Sequence, residues 1–164
     1  MSISDLPNQS IHRTPDGAED LWVMGGLYSY KITPSESGAY LACELQGPEG
    51  FAIPVHFHDD EEEAFYVARG AVTMVLEGVE YRLEAGGVAF APRGIPHSFR
   101  FESADAALLL LVSPGDKHVE MLRAMGEPAP RHALPDSPGN LDPAALGEIA
   151  GRLGTHIVGP PPLR

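Results

Sequence analysis

His56 and His58 form a His-x-His pair, and Glu63 follows five residues later across an acidic turn, Asp59 to Glu62. On a strand, residues two apart face the same way, so both imidazoles project to one side with their ring nitrogens close together. Chain reversal through the turn lets the next strand offer a carboxylate at the same depth. Glu62 shares its face with Ala64 and Tyr66, whereas Glu63 shares its face with Phe65 and Val67. The larger apolar set selects Glu63 as the inward acid. A third histidine, His97, opens another strand directly after the tight turn Pro92-Arg93-Gly94-Ile95-Pro96. Three imidazoles and one carboxylate, with no thiolate, suit a single divalent first-row metal: iron, manganese, cobalt, nickel, copper or zinc. Four protein ligands on an octahedral ion leave two positions, enough for a substrate oxygen and dioxygen or for one bidentate substrate. The competing reading is a hydrogen-bonded core cluster without an ion. It is the weaker one, because three buried imidazoles beside a carboxylate are costly with nothing to organise them.

These residues need short strands to hold them, and the chain's punctuation supplies such strands. Apolar or alternating runs span 21–33, 39–44, 51–58, 63–68, 72–76, 79–83, 87–91, 97–101 and 106–113, with Gly, Pro and Asp clusters between them. Many strands at short, even spacing are the mark of an all-β sandwich or barrel. Glu77-Gly78 reads as a two-residue hairpin turn. After Ser113 the period becomes helical: Pro114-Gly115-Asp116 starts a helix in which Val119, Leu122 and Met125 form a stripe, ended by a C-cap at Gly126. Five prolines stiffen the connector from Gly126 to Pro143. Asp142-Pro143 then caps a second helix, with Leu146, Ile149, Ala150 and Leu153 on its packing face. The expected organisation is an extended lead-in over 1–20, a barrel over 21–113, and a helical C-terminal segment over 114–164 packing on the barrel.

Composition limits the partners. The 164 residues carry 11 basic and 23 acidic side chains, a net charge of −12. With a pI near 4.8, the chain lacks the basic face that phosphate binding requires, so nucleic acid is not an expected partner. A mean hydropathy of −0.09 and a longest apolar run of only Ala106 to Val112 argue against membrane insertion. The start Met1-Ser2-Ile3-Ser4-Asp5 has neither the basic region nor the apolar core of a signal peptide, and Cys43 is the single cysteine. A cytoplasmic setting is expected.

The two motifs together resemble those of the cupin superfamily. Gly50, His56, His58, Glu63 and Gly70 match its first motif, and Gly86, Pro92, Gly94 and His97 match its second; Phe101 stands where that motif has asparagine. Similarity to the single-domain bacterial cupins grouped with quercetin 2,3-dioxygenase extends from about Leu21 to Leu163. It is carried by Ala64-Phe65-Tyr66-Val67, Ala91 to Arg100, Ser113-Pro114-Gly115 and Gly159-Pro160-Pro161-Pro162-Leu163. The resemblance implies a jelly-roll β-barrel with His56, His58, Glu63 and His97 as metal ligands. It also implies a dioxygenase acting on a flavonol, polyphenol or polyketide-like enol, with dioxygen as co-substrate and Glu63 as base. A metal-dependent isomerase, cyclase or dehydratase, or a small-molecule-binding cupin without chemistry, is the alternative. A homodimer is expected, with the lead-in strand and the C-terminal helix as interface.

Strand parity turns Phe65, Val67, Met74, Phe90, Phe99 and Leu110 inward, and Phe99 and Phe101 share a face with His97. Phe65, Met74, Phe99 and Phe101 are therefore the expected substrate wall. Tyr28 and Tyr30 are expected as ordinary sheet tyrosines, and Cys43 as a small core residue. His12, His118, His132 and His156 are expected at the surface, and Asp59 to Glu62 as a solvated turn.

Overall fold

Glu77 and Gly78 both take left-handed φ, 51° and 81°, and Leu76 pairs with Val79 across them, giving the twist that a two-residue hairpin needs. Similar punctuation at Met24-Gly25 splits the expected run 21–33 into a hairpin of two strands. The computed structural model describes residues 9–163, so the first eight residues of the expected lead-in lie outside the described residues. In chain order the elements are β1 (Glu19–Val23), β2 (Gly26–Ile32), α1 (Pro34–Ser37), β3 (Leu41–Gln46), β4 (Val55–His58) and β5 (Glu62–Arg69). They continue as β6 (Ala71–Leu76), β7 (Val79–Glu84), β8 (Val88–Ala91), β9 (His97–Phe101), β10 (Ala107–Ser113) and α2 (Asp116–Met125). The chain closes with β11 (Glu127–Pro128), α3 (Pro143–Arg152) and β12 (Thr155–Gly159).

The strands form two antiparallel sheets, ordered β11-β1-β2-β3-β10-β5-β8 and β12-β4-β9-β6-β7. This is a jelly-roll arrangement, but a sandwich in place of the closed barrel: among the described residues no strand ladder joins one sheet to the other. Inward side chains of both sheets, among them Tyr30, Leu45, Phe65, Met74, Phe99, Phe101 and Leu108, fill the core. Phe90 is the exception to the parity expectation. It stands half exposed at 51% because β8 pairs with β5 in a register that sets Phe90 opposite outward-facing Ala64.

The C-terminal region contributes more sheet than its sequence announces. β11 extends the larger sheet at β1, and β12 pairs with β4, setting Thr155 opposite His58 and Ile157 opposite His56. The α3 cap is as expected, with the Asp142 carboxylate accepting a hydrogen bond from the Ala145 N–H. Gly126 follows α2, but with an extended backbone, φ −111°. Space explains the glycine there, since a Cβ would lie 2.6 Å from Val23 Cγ2 and 2.7 Å from the Trp22 carbonyl oxygen. No helix among the described residues is long and apolar enough to cross a membrane.

Candidate metal centre

Strand alternation carries His56 and His58 to the buried side of β4, with Phe57 between them pointing away. β9 lies beside β4 with His97 directly opposite His56. Glu63 arrives from the other sheet, where β5 is held between Val112 of β10 and Ala91 of β8. Three imidazoles on one sheet thus face one carboxylate on the other. All four side chains are buried, and their ligand atoms lie within 4.8 Å of one another, roughly twice a metal–ligand bond of 2.0–2.2 Å. The imidazole centroids are 4.4 to 5.4 Å apart.

The hydrogen bonds behind the rings decide what the rings can do. His56 Nδ1 donates to the Pro54 carbonyl and His97 Nδ1 to the Ile95 carbonyl, each at 2.8 Å. A carbonyl only accepts, so both Nδ1 atoms carry a proton, and in the neutral form of either ring a bare Nε2 lone pair is turned inward. The third ring is held at Nδ1 by the Thr155 hydroxyl, also at 2.8 Å. Glu63 Oε2 sits 3.3 Å from Nε2 of both His58 and His97. An ionised carboxylate is itself only an acceptor. Wherever a bare Nε2 faces that carboxylate at this distance, the two acceptors need a positive charge between them, a shared proton or a metal cation. The nitrogen and hard-oxygen donor set fits a divalent first-row metal.

Electrostatics agree with an acceptor-rich pocket. Burial, with the charges of His97 and His58 adding to it, pushes the His56 imidazole down to about 3. Burial opposes ionisation of Glu63, but its contacts with His58 and His97, helped by His118, outweigh this and hold the carboxyl well below the usual range. The His118 imidazole is raised: burial disfavours its cation, but Glu61 and Glu63 more than compensate. Burial pushes the Tyr28 phenol upward, keeping it a neutral hydroxyl.

A cavity of about 60 Å³ opens beside the cluster, bounded by His56, Glu63, Tyr28, Phe99, Leu110 and Thr155 and roofed by Met121, Leu122 and Met125 of α2 and Leu146 and Ala150 of α3. Of the expected substrate wall, Phe99 lines this cavity. Phe65, Met74 and Phe101 do not: they are fully buried in packed core, where Phe65 meets the His97 ring at 5.6 Å and Phe101 meets Phe51 at 5.5 Å. Phe101 also pairs its backbone with the first-motif loop through Gly50 and Phe51, so apolar packing and main-chain bonds occupy the place of the motif asparagine. Tyr28 and Tyr30 are both buried, and the Tyr30 hydroxyl donates to the Val119 carbonyl. Cys43 is buried without a disulfide.

Two surface expectations are corrected. His118 is 5% exposed, its ring 5.4 Å from His58. Glu61 is 2% exposed, while Asp59 and Asp60 of the same acidic turn are solvated and paired with His156 and Lys117. The α2 stripe predicted at Val119, Leu122 and Met125 is wider than those three positions: Met125 is partly buried against the core, and the buried face also takes in His118 and Met121, because this helix is covered by α3 as well as by the sheet. His118 stands four residues before Leu122, a spacing that marks it as part of the buried face.

The cupin domain family matches residues 45–113. Over 139 residues the chain is 25% identical to quercetin 2,3-dioxygenase of Bacillus subtilis (strain 168), covering 83% of this chain and 41% of that protein. Over 129 residues it is 29% identical to protein SchB of Streptomyces halstedii, covering 77% of this chain and 81% of that one. An RmlC-like cupin of known structure from Shewanella frigidimarina superposes with a TM-score of 0.57 at 22% identity, over 68% of this chain and 97% of the other. Residues 45–113 thus match a cupin domain, and the buried His/Glu group is able to hold a metal ion. It spans well under half the length of the Bacillus dioxygenase.

Two outcomes follow from this geometry. In metal-free protein, His56 titrates near 6.5 when unfolded and about 3 when folded, so the unfolded state binds the extra proton between those values. Its stability contribution is therefore whole above pH 6.5 and drains away as the pH falls towards 3; Glu63, lowered in the same sense, adds to the loss below the ordinary carboxylate range. Urea denaturation in chelator should show stability falling steadily from pH 6.5 to 4, and a flat profile would contradict a buried neutral His56. Separately, Thr155→Val removes the hydroxyl behind His58 at constant volume and should weaken metal affinity about tenfold in competition with a chromogenic chelator. Unchanged affinity would show that Thr155 does not orient the ring.

Proposed function

We propose that this cupin is a mononuclear metal-dependent dioxygenase of the quercetinase-like type, acting on an enol or phenol of the flavonol, polyphenol or polyketide-like class. The observation carrying the proposal is the convergence of His56, His58 and His97 Nε2 with Glu63 Oε2, with His56 and His97 oriented by the carbonyls of Pro54 and Ile95 behind them. Similarity to the Bacillus quercetin 2,3-dioxygenase supports the choice of chemistry. His56, His58, His97 and Glu63 would hold the ion, which when bound acidifies a substrate hydroxyl and orients the substrate for reaction with dioxygen. Glu63, ionised at neutral pH and bordering the cavity, accepts the hydroxyl proton at its carboxylate. Phe99, Leu110, Met121 and Leu122 give the cavity apolar walls that exclude water from the exposed substrate anion.

The cavity's volume favours a second reading alongside the first. About 60 Å³ is far below the 300–1,000 Å³ typical of ligand pockets, so a three-ring flavonol enters only if α2 and α3 part. Met24, Met121 and Met125, unbranched and adaptable, are suited to such repacking. A compact substrate needs less movement, and proton-transfer chemistry on it, as in an isomerase, cyclase or dehydratase, uses the same residues without dioxygen. A cytoplasmic homodimer completes the proposal. Tyr66, Val88, Phe90 and Leu111, exposed together on the outer face of the larger sheet, support self-association there.

Elemental analysis of the purified protein, followed by oxygen-electrode assays with 3-hydroxyflavone and smaller hydroxy-enones, tests the proposal. One transition metal per chain is expected, with oxygen uptake that Glu63→Gln lowers at least about a hundredfold. Uptake that survives the substitution removes Glu63 as the base. Substrate conversion without uptake selects the isomerase-type reading, and protein that binds these compounds without converting them is a binding cupin.

A further inference from the structure

Outside the four-residue cluster, the described residues hold one more buried ionisable pair at the cavity. Glu61, at the end of the acidic turn, accepts a hydrogen bond from the His118 backbone N–H at 3.2 Å. It thereby satisfies a first-turn donor of α2, whose N-cap, Gly115, has no side chain to do so. Capping explains the carboxylate. It does not explain the imidazole. His118 is buried, its Nδ1 faces Glu61 Oε2 at 3.7 Å, too far for a hydrogen bond, and that nitrogen is the one buried side-chain polar atom without a partner among the described residues. Its ring borders the cavity that Glu63 and His56 also border. An aliphatic residue would fill this buried position without the cost of an unsatisfied polar ring.

We propose that His118 is a substrate-binding residue: with Nδ1 turned to Glu61, its Nε2 hydrogen-bonds a second oxygen of a compact molecule whose first oxygen binds at the His56, His58, His97 and Glu63 centre. The substrate class this selects carries two oxygens on neighbouring carbons, as in a hydroxy-carbonyl or ene-diol, with any apolar remainder against Met121, Met125 and Leu146 of the roof. The inference rests on the metal-centre reading above and narrows it.

The full chain loaded with cobalt(II) provides the test, with glycolate and propionate as probes and the cobalt visible absorption as the readout. The probes share a carboxylate for the metal and differ by a hydroxyl against a methyl group. Wild-type protein should prefer glycolate, and His118→Phe should cut the ratio of the two affinities by about tenfold while leaving propionate affinity nearly unchanged. His118→Gln, which keeps a hydrogen-bonding group and replaces the phenylalanine variant if that one misfolds, should retain a preference between the two. A role confined to packing or capping would shift both probes equally, and an unchanged ratio in the folded variants overturns the proposal while the metal centre stands. Wild-type protein that fails to take up cobalt overturns the metal-centre reading and this proposal with it.

Discussion

Acceptor atoms without donors are the constraint around which this protein is built. Carbonyls of Pro54 and Ile95 take the Nδ1 protons of His56 and His97, and the bare Nε2 atoms then face a buried carboxylate from the opposite sheet. Such an arrangement is unfavourable in a low-dielectric interior unless a cation closes it. Both carbonyl partners lie two residues before their histidines, so the short approach to each strand sets the ring's tautomer as well as its position. The second-motif turn is tied into the same unit, since the Gly94 N–H donates to the His58 carbonyl at 2.8 Å.

The C-terminal third turns this centre into a chamber. β12 borders β4 and places Thr155 behind His58, while α2 and α3 lay apolar side chains across the opening. One continuous segment therefore orients a ring and roofs the cavity. Function resides in this site and not in the fold that carries it, since one fold hosts many chemistries.

Much of this was legible in the amino-acid order. Alternation brings His56 and His58 to one side, and the apolar companions Phe65 and Val67 distinguish Glu63 from Glu62, which is half-buried on the other side of the strand. The Glu77-Gly78 hairpin and the Asp142 cap are local events, written in turn and cap residues that act over a few positions. What escaped depends on distant partners. β12 is a five-residue strand whose sheet neighbour lies about a hundred residues earlier, and its Gly159-Pro160 ending resembles a loop. Glu61 sits in a run of acids beside solvated Asp59 and Asp60, and its burial depends on the docking of α2, whose His118 N–H it caps. Phe90 has inward parity by hydrophobicity alone, yet the register of the edge strand β8 turns it to solvent. Among the phenylalanines, parity identifies the buried face, but whether a ring lines a cavity or fills the core depends on where the roof falls.

The central claim is that three imidazole nitrogens and one carboxylate oxygen surround a single ion between the two sheets. X-ray absorption at the metal edge of the stoichiometrically loaded protein tests it most directly. The account predicts the multiple-scattering pattern of three imidazoles with oxygen in the remaining shell, falling to two imidazoles in His97→Ala. A loaded protein whose spectrum shows one imidazole or none, or is unaltered by that substitution, would contradict it.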